Sequence, residues 1–391
     1  MIRISSATVA NNATWQQSMN CMLCRKKATT RKRRMRHNPQ RFILSTILCG
    51  FLIFWSCAKD QPAEPTPDQV PTLESLHADG RWIINSSGEK VILRGVNIPS
   101  LEWNSTGDQI VQSLIHMVDV WQINIARIPL SQDRWYGRAS EQNDGGKSYR
   151  AIVANLIAYG NHNGCYIWLD LHWNNGGVWG ENIGQHKMPD ELSLTFWKDV
   201  AVLYANHPAV LFGLYNEPHD ITWDVWRNGG IVEETITLES GTGKLSYRTP
   251  GHQKLLQTIR ETGAENIVIA AGLDWGFDLR GIESGSALSG DNIAYDTHPY
   301  PWKPKPWDAY FGNVGRVHPI IVGEWGGTVE EGHQSYGMDM AGYLRRNFFC
   351  WTAWCLHPSA GPQLIKNWKY DPTWFGELVI RELSQPVILP D

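Results

Sequence analysis

The sequence predicts a single α/β domain built as a (β/α)8 barrel, preceded by a small N-terminal hairpin. Short runs of β-branched and apolar residues alternate with longer segments that often have helical periodicity, a pattern typical of parallel strands joined by helices. Eight such strands fit within roughly 260 residues, the usual size of a closed barrel of this type. The chain has 391 residues, of which 42% are hydrophobic and 19% charged, so it can build one large core.

The eight strands are predicted from apolar runs bounded by turn-forming residues. A hairpin is expected before them at Arg81–Lys90, with its turn at Asn85–Gly88. A doubly wound open sheet is the competing architecture, but it would require a Gly-rich phosphate loop after the first strand, and Arg94–Asn97 is not such a loop. The predicted strands are Val91–Asn97, Ile123–Pro129, Tyr166–His172, Val210–Glu217, Ile267–Ala271, Ile293–His298, Pro319–Glu324 and Phe349–Trp354.

The N-terminal residues 1–57 are predicted to be an extension and a signal peptide rather than part of the fold. The basic run from Arg25 to Arg41 precedes the apolar run from Phe42 to Trp55, which is short for a membrane span. Cys57 and the three residues after it resemble the lipid-attachment site of bacterial lipoproteins. We therefore expect a secreted protein or an outer-membrane lipoprotein, in the periplasm or at the cell surface. A retained transmembrane anchor is the alternative, and Met35 is an alternative start.

Residues 58–72 form a Pro-rich acidic stretch that is predicted to be a linker. Residues 73–391 follow without a second linker, and we expect them to form one domain and the protein to be a monomer. Residues 1–56 contain 10 Lys/Arg and no Asp/Glu, which leaves 25 Lys/Arg against 39 Asp/Glu in the rest. Such an acidic body argues against nucleic acid as a ligand and leaves membrane contact to the lipid anchor, whereas a neutral polymer is compatible.

The chain contains seven Cys and 20 Trp. We expect no disulfide framework in the domain, where Cys165, Cys350 and Cys355 lie, because Cys350 and Cys355 would lie on or near one extended strand, too far apart to bridge. Cys21 and Cys24 lack a second pair, so a zinc site there is not expected. A core does not need so many Trp, since each buried indole N–H requires a partner, and about half are expected to stack on flat sugar rings.

Six of the predicted strands carry, at or near their carboxyl end, a polar or aromatic residue that an apolar core does not need. Barrel enzymes carry their active sites at the carboxyl ends of the strands, and a buried carboxylate after Ile320–Gly323 would be costly without a function. These strands therefore predict an active site at this rim. The six residues are Arg127, His172, Glu217, His298, Glu324 and Trp354.

Two carboxylates at one rim, Glu217 and Glu324, are what the hydrolysis of a glycosidic bond requires, because one must donate a proton while the other remains ionised. Arg127 is expected to keep Glu324 ionised, and Tyr300 to donate a hydrogen bond to it. Glu217 is expected to be the acid, in a drier and less positively charged place. Asn216 is expected to bind the sugar 2-hydroxyl.

Six motifs together resemble glycoside hydrolase family 5, the cellulase-type family, over about Leu73 to Glu382. The resemblance implies a retaining double displacement without a cofactor, with Glu217 as acid/base, Glu324 as nucleophile and Trp354 as a sugar platform, so that residues 73–391 would be the catalytic domain. The motifs are Leu214–His219, Ile321–Gly326, Ala126–Pro129, Leu169–Trp173, Asp296–Tyr300 and Trp351–Trp354.

Structural roles for the same residues remain open. Arg127 could be an ion-pair partner of Asp170 or Asp296 alone, and His172 and His298 could be core histidines or metal ligands. No metal is expected, because none of the 13 His lie two apart, as a barrel metallohydrolase usually requires. Asp190 is expected to cap a helix beginning near Glu191. Some loop tryptophans should bind sugar and others should pack: Trp173, Trp179, Trp223, Trp226, Trp275, Trp302 and Trp307.

The leading functional hypothesis is an endo-β-1,4-glucanase that acts on β-glucan polysaccharides or oligosaccharides. Mannan, glucomannan, xyloglucan and mixed-linkage β-glucan are alternative substrates, because specificity depends on loops rather than on the catalytic residues. A surface glycan-binding lipoprotein without catalysis is the hypothesis from another class.

Overall fold

The computed structural model describes residues 73–389, apart from 178–182, 239–240 and 331. The predicted extension and signal peptide, the lipidation candidate Cys57, the linker at 58–72 and Trp179 lie outside the described residues. Along the described chain, no helix combines the length and the apolarity needed to cross a bilayer. The three cysteines of this part, Cys165, Cys350 and Cys355, are free and buried.

Eight parallel strands close into a barrel in the order in which they occur along the chain, which confirms the predicted (β/α)8 architecture. Four further strands form two separate antiparallel pairs. The twelve strands are β1 (Leu76–Asp79), β2 (Trp82–Asn85), β3 (Arg94–Asn97), β4 (Ile125–Ser131), β5 (Tyr166–Trp173), β6 (Val210–Gly213), β7 (Gly230–Leu238), β8 (Gly241–Thr249), β9 (Val268–Ala271), β10 (Ile293–Asp296), β11 (Ile320–Val322) and β12 (Cys350–Ala353).

Helices and helical turns connect the barrel strands on the outside. The helices are α1 (Ile110–His116), α2 (Gln132–Trp135), α3 (Lys147–His162), α4 (Leu192–Tyr204), α5 (Trp223–Asn228), α6 (Gly251–Arg260), α7 (His333–Asn347) and α8 (Trp374–Leu383). As predicted, Asp190 caps the beginning of α4: its carboxylate accepts a hydrogen bond from the backbone N–H of Ser193, in the first turn, at 3.1 Å.

Side chains alternate along each barrel strand between two apolar clusters. In β4, Ala126 and Ile128 face the layer between the barrel and the helices, whereas Ile125 faces the barrel interior. Arg127 has the inward parity of Ile125, but it lies one step closer to the carboxyl ends. The interior is therefore apolar at the amino ends of the strands and polar at the carboxyl ends, which places the predicted site.

The strand limits differ from the prediction in a consistent way. The strands that were predicted to end at Glu217, His298, Glu324 and Trp354 end one to four residues earlier. These side chains therefore stand on the loops just beyond the barrel ladder. In contrast, β4 continues past Arg127 to Ser131 because it pairs with β5 over this whole length, so Arg127 lies within the strand and not at its end.

The predicted N-terminal hairpin exists, but its limits were wrong. Its strands are β1 and β2, and the two residues between them, Gly80 and Arg81, form the turn, with Gly80 at a φ of +53° that suits glycine. The expected turn at Asn85–Gly88 also forms. After it, however, the chain pairs with β2 only through an isolated antiparallel bridge between Ile84 and Lys90, and not through a strand. Leu76 and Ile83 join the interior cluster and so cover the amino end of the barrel.

A second hairpin was not predicted. β7 and β8 pair in antiparallel register between α5 and α6, in the connection that follows barrel strand β6. Connections of this kind usually span two to six residues, so the hairpin is an insertion on the active-site side of the barrel. Ile231–Ile236 is rich in β-branched residues, which was a usable signal for a strand, although apolar and polar residues do not alternate in it.

Candidate active site

Glu324 lies two residues beyond β11, and its carboxylate is held from two sides. Nη1 of Arg127 donates to Oε1 at 2.7 Å, and the hydroxyl of Tyr300 donates to Oε2 at 2.8 Å. The side chain is 5% exposed. Arg127 can only donate hydrogen bonds and is positively charged, so its contact complements the carboxylate of Glu324 and, with Tyr300, fixes the direction of that side chain.

Arg127 is fully buried and connects several strands. Its Nη2 lies 2.9 Å from Asp170 and 2.6 Å from Oδ1 of Asn216, and its Nη1 donates to Asn97 at 2.9 Å. Burial alone would lower the pKa of Arg127, but Asp170 and Glu324 raise it above its ordinary value. The guanidinium is therefore charged, and it is at once the structural partner of Asp170 and the partner of Glu324.

Glu217 lies beyond β6 and contacts His298. Nδ1 of His298 is 2.9 Å from Oε1 of Glu217, and Nε2 is 3.0 Å from Asp296. Burial alone would lower the pKa of His298, but Glu324, Asp296 and Glu217 raise it to about 10. The imidazole is therefore a cation that bridges Asp296 and Glu217. Burial raises the pKa of Asp296, although the positive charge of His298 acts to lower it.

The expectation that Glu217 occupies the drier place is wrong. Its side chain is 18% exposed, against 5% for Glu324, and it has a cationic neighbour of its own in His298. The physical reason is its position four residues past the end of β6, where the chain has left the barrel ladder and faces the cleft. Glu324 follows its strand more closely and remains among the buried side chains.

The two carboxylates lie close together. Among the described residues, one side-chain oxygen or nitrogen from each of Glu217, His298 and Glu324 lies within 4.8 Å of the others, so the three could geometrically hold a cation. However, the guanidinium of Arg127 lies against Glu324 and the imidazole of His298 lies against Glu217, and these two positive groups disfavour a further cation between the carboxylates. The expected absence of a metal stays a prediction.

Asn216, His172 and Trp354 lie beside the carboxylates. The amide nitrogen of Asn216 is 3.3 Å from Nε2 of His172 and 3.1 Å from the side-chain oxygen of Gln185. Nδ1 of His172 is 2.8 Å from Asp170, and its ring stacks against Trp354 at 5.5 Å and 9°. Both N–H bonds of Asn216 are thus engaged, so a sugar hydroxyl would have to share or replace one of these contacts.

The loop tryptophans separate into two groups. Trp173, Trp226 and Trp307 are buried and Trp223 is half-buried against the core. The two exposed ones each stack on a residue of the site. Trp302 is 65% exposed and stacks on Tyr300 at 4.7 Å and 4°, while Trp275 is 41% exposed and stacks on His219 at 3.5 Å and 9°. Of the loop tryptophans that the structure describes, these two indoles are therefore the best placed to meet a ligand at the rim.

Sequence reasoning missed several residues that shape the site. Asn97, at the end of β3, accepts from Arg127 and donates to the carbonyl of Gly323, and its place at a strand end was a usable signal. Gln185 contacts both Asn216 and the backbone of Glu217, and no sequence pattern singles it out. Glu102 is buried in the loop after β3, where the chain offers no strand pattern.

The fold and this arrangement define a glycoside hydrolase, and the comparison with protein families agrees. The model of the family described as cellulase, glycosyl hydrolase family 5, matches residues 84–360. The chain belongs to this family.

Several proteins are similar to this chain at low sequence identity. An endoglucanase of Paenibacillus polymyxa is 22% identical, with 85% of this chain and 91% of the relative covered. A cellulase of a Thermoanaerobacterium species is 23% identical over 74% of this chain and 72% of the relative. A β-glucanase of Saccharophagus degradans is similar in structure, with a TM-score of 0.63, 21% identity, and 82% of this chain and 97% of that chain covered. The same β-glucanase has been solved in complex with cellotetraose.

Glu102 is a buried carboxyl group next to the site. Its Oε2 accepts from the N–H of Ser100 at 2.7 Å, whereas Oε1 has no hydrogen-bond partner. Burial raises the pKa of Glu102 to about 7, although the nearby His172 acts to lower it. Because the folded state favours the protonated form, the stability that this group contributes is present below its unfolded pKa and is lost as the pH rises through 7.

We therefore predict that Glu102→Gln removes part of the pH dependence of stability. Between pH 4.5 and about pH 8, the free energy of unfolding of the wild type should fall relative to that of the variant by about 3 kcal/mol. Urea unfolding at several pH values measures this difference. The exposed Glu261→Gln is the control, and parallel pH curves for wild type and Glu102→Gln would contradict the prediction.

Proposed function

We propose that the enzyme hydrolyses β-1,4-linked glucan by a retaining double displacement, as an endo-β-1,4-glucanase. The observation that carries the proposal is the closeness of Glu217 and Glu324, with carboxylate oxygens within 4.8 Å. Retaining enzymes have carboxyl groups about 5 Å apart, whereas inverting enzymes need roughly 6.5–9.5 Å to admit a water molecule.

In the first step, Glu324 attacks the anomeric carbon, the glycosidic C–O bond breaks, and Glu217 donates its proton to the departing oxygen, so that the leaving chain departs as an alcohol and a glycosyl ester of Glu324 remains. Arg127 and Tyr300 donate to the two carboxylate oxygens of Glu324 and fix its direction. The greater exposure of Glu217 suits a group that must reach a leaving group in the cleft.

In the second step, Glu217 takes a proton from the water that attacks the glycosyl ester of Glu324. While Glu324 is negative, it disfavours a second negative charge on Glu217, because like charges at this distance repel. Formation of the ester removes the charge on Glu324, and Glu217 can then remain ionised and act as a base. His298, which lies 2.9 Å from Glu217 and 3.8 Å from Glu324, supplies the compensating cation in both steps.

Substrate binding is assigned to the remaining residues of the site. Trp354, stacked on His172, is proposed as the platform for the sugar at the cleavage point, and Asn216 as the ligand of the 2-hydroxyl. The exposed Trp275 and Trp302 offer flat apolar faces of the kind on which sugar rings stack. The names of the relatives, endoglucanase and cellulase, favour glucan as the polymer.

The mechanism predicts different losses for the two carboxylates. Glu324→Gln should lower kcat by on the order of 10⁴-fold or more on every substrate, because no nucleophile remains. Glu217→Gln should lower kcat/KM about 10²- to 10⁴-fold for a cello-oligosaccharide but little for a dinitrophenyl cellobioside, whose leaving group needs no proton. Proton NMR of the wild-type reaction should first show the β-anomer. An initial α-anomer would exclude the double displacement.

The substrate is tested by a product profile. We expect the wild type to release reducing ends from carboxymethylcellulose and soluble mixed-linkage β-glucan faster than from mannan or xyloglucan, with internal cleavage shown by a fast fall in viscosity. Cleavage of mannan alone would contradict the glucan assignment while leaving the two-carboxylate mechanism intact.

We further propose that the enzyme is an exported monomer, attached to a membrane through a lipid on Cys57. The support is the basic and apolar sequence before this residue. The full chain expressed in a Gram-negative host should incorporate radioactive palmitate and enter the detergent fraction, and Cys57→Ser should do neither. Equal labelling of both proteins would contradict the anchor.

A further inference from the structure

Gln185 bridges two consecutive residues of the site. Its side-chain nitrogen donates to the backbone carbonyl of Glu217 at 3.1 Å, and its side-chain oxygen accepts from the amide of Asn216, also at 3.1 Å. Glu217 stands beyond the end of β6, and its carbonyl is held by side chains, Gln185 and His219, rather than by a strand. The direction of the Glu217 side chain therefore depends on the positions of Gln185 and His219.

Gln185 itself lies in a segment without helix or strand, yet the backbone just after it is fixed. The N–H of His186 donates to the hydroxyl of Tyr215 at 2.9 Å, and the N–H of Lys187 donates to Oε2 of Glu234 at 3.0 Å. The N–H of Met188 donates to the hydroxyl of Tyr247 at 3.0 Å, and this hydroxyl also contacts the carbonyl of Met188 at 3.0 Å. Side chains thus hold three successive backbone N–H groups.

Two of these side chains come from the inserted hairpin. Glu234 is on β7 and Tyr247 on β8, and the strand register places both on the face that carries the buried Val232. The opposite face of β7, which carries Glu233, is exposed. Although burial acts to raise it, the pKa of Glu234 is lowered, because the imidazole of His186 and the N–H of Lys187 donate to its carboxylate. Glu234 is therefore an anionic acceptor in the folded enzyme.

We infer that Gln185 is a positioning residue for the acid/base Glu217, and that the β7–β8 hairpin keeps Gln185 in place through Glu234 and Tyr247. The inference rests on the proposed function, in which Glu217 transfers the proton. A displacement of a catalytic group by about 1 Å can lower the rate on the order of 10²-fold. Loss of the hydrogen bonds by which Gln185 positions Glu217 should therefore lower the rate measurably.

The test uses substrates that differ in their need for a proton. Gln185→Met keeps the length of the side chain but removes both hydrogen bonds, and Glu234→Gln keeps the shape but loses the carboxylate that holds the segment. Each variant should lower kcat/KM for cellotetraose about tenfold more than kcat/KM for 2,4-dinitrophenyl cellobioside, since that leaving group departs without acid assistance. A smaller loss that both substrates share would come from the contact of Gln185 with Asn216.

The neighbouring Glu233→Gln is the matched control, because it makes the same chemical change on the exposed face of the same strand, and it should behave as the wild type on both substrates. An equal loss on both substrates, or no loss on either, in Gln185→Met would overturn the positioning role. A loss in Glu233→Gln equal to that in Glu234→Gln would overturn the role of the hairpin.

The proposed function fails in a different way. A wild type that cleaves neither substrate would overturn the glucan assignment and this inference together. A wild type that cleaves both, with variants that do not separate them, would overturn the inference alone.

Discussion

The buried guanidinium of Arg127 is the interaction on which the rest of the site depends. It contacts Asn97, Asp170, Asn216 and Glu324, which come from four other segments of the barrel rim. A fully buried cation is costly unless it is paired and hydrogen-bonded, and a buried carboxylate has the same requirement. The cation and the carboxylates thus offset each other's cost of burial. The segments that carry them are therefore held together by these ion pairs and hydrogen bonds.

Because Glu324 lies against Arg127 and Glu217 lies against His298, the two carboxylates differ in their charged neighbours and in their exposure. Glu324 lies close to the end of its strand. Its carboxylate forms an ion pair with Arg127 and accepts a hydrogen bond from Tyr300, and these two contacts fix its direction. Glu217 stands further from its strand, is more exposed, and shares the cation of His298 with Asp296. A nucleophile must be ionised and aimed, whereas an acid/base must change its protonation twice in each turnover. The structure gives each carboxylate the environment that suits its proposed task.

The sequence predicts the barrel well because the alternation of side chains along a strand follows directly from backbone geometry. The same alternation places Ile125 and Arg127 on the inward face, and the family motifs predict the polar residues of the rim. The contact of Arg127 with Glu324 was therefore predictable. The exposure of Glu217 was not, because it depends on how far the chain runs after β6 before it turns, and a sequence pattern does not contain that length.

Gln185 and the β7–β8 hairpin were missed for a related reason. Their roles come from contacts between segments far apart in the chain: Gln185 reaches Glu217 across 32 residues, and Glu234 reaches Lys187 across 47. Propensity and periodicity describe neighbours in sequence, so they can indicate the strand around Glu234 but not what its carboxylate holds. Buried network residues of this kind become visible when the loops are placed in space.

The two exposed indoles show why specificity and catalysis cannot vary independently here. Trp302 stacks on Tyr300, which donates to Glu324, and Trp275 stacks on His219, whose ring contacts the carbonyl of Glu217. Each of these two exposed indoles is thus one aromatic contact away from a residue that contacts Glu217 or Glu324. A change of rim residue that alters substrate preference would also change the support of Tyr300 or His219. Under the proposed function, a change at either exposed indole is therefore expected to act on Tyr300 or His219 as well as on the bound polymer.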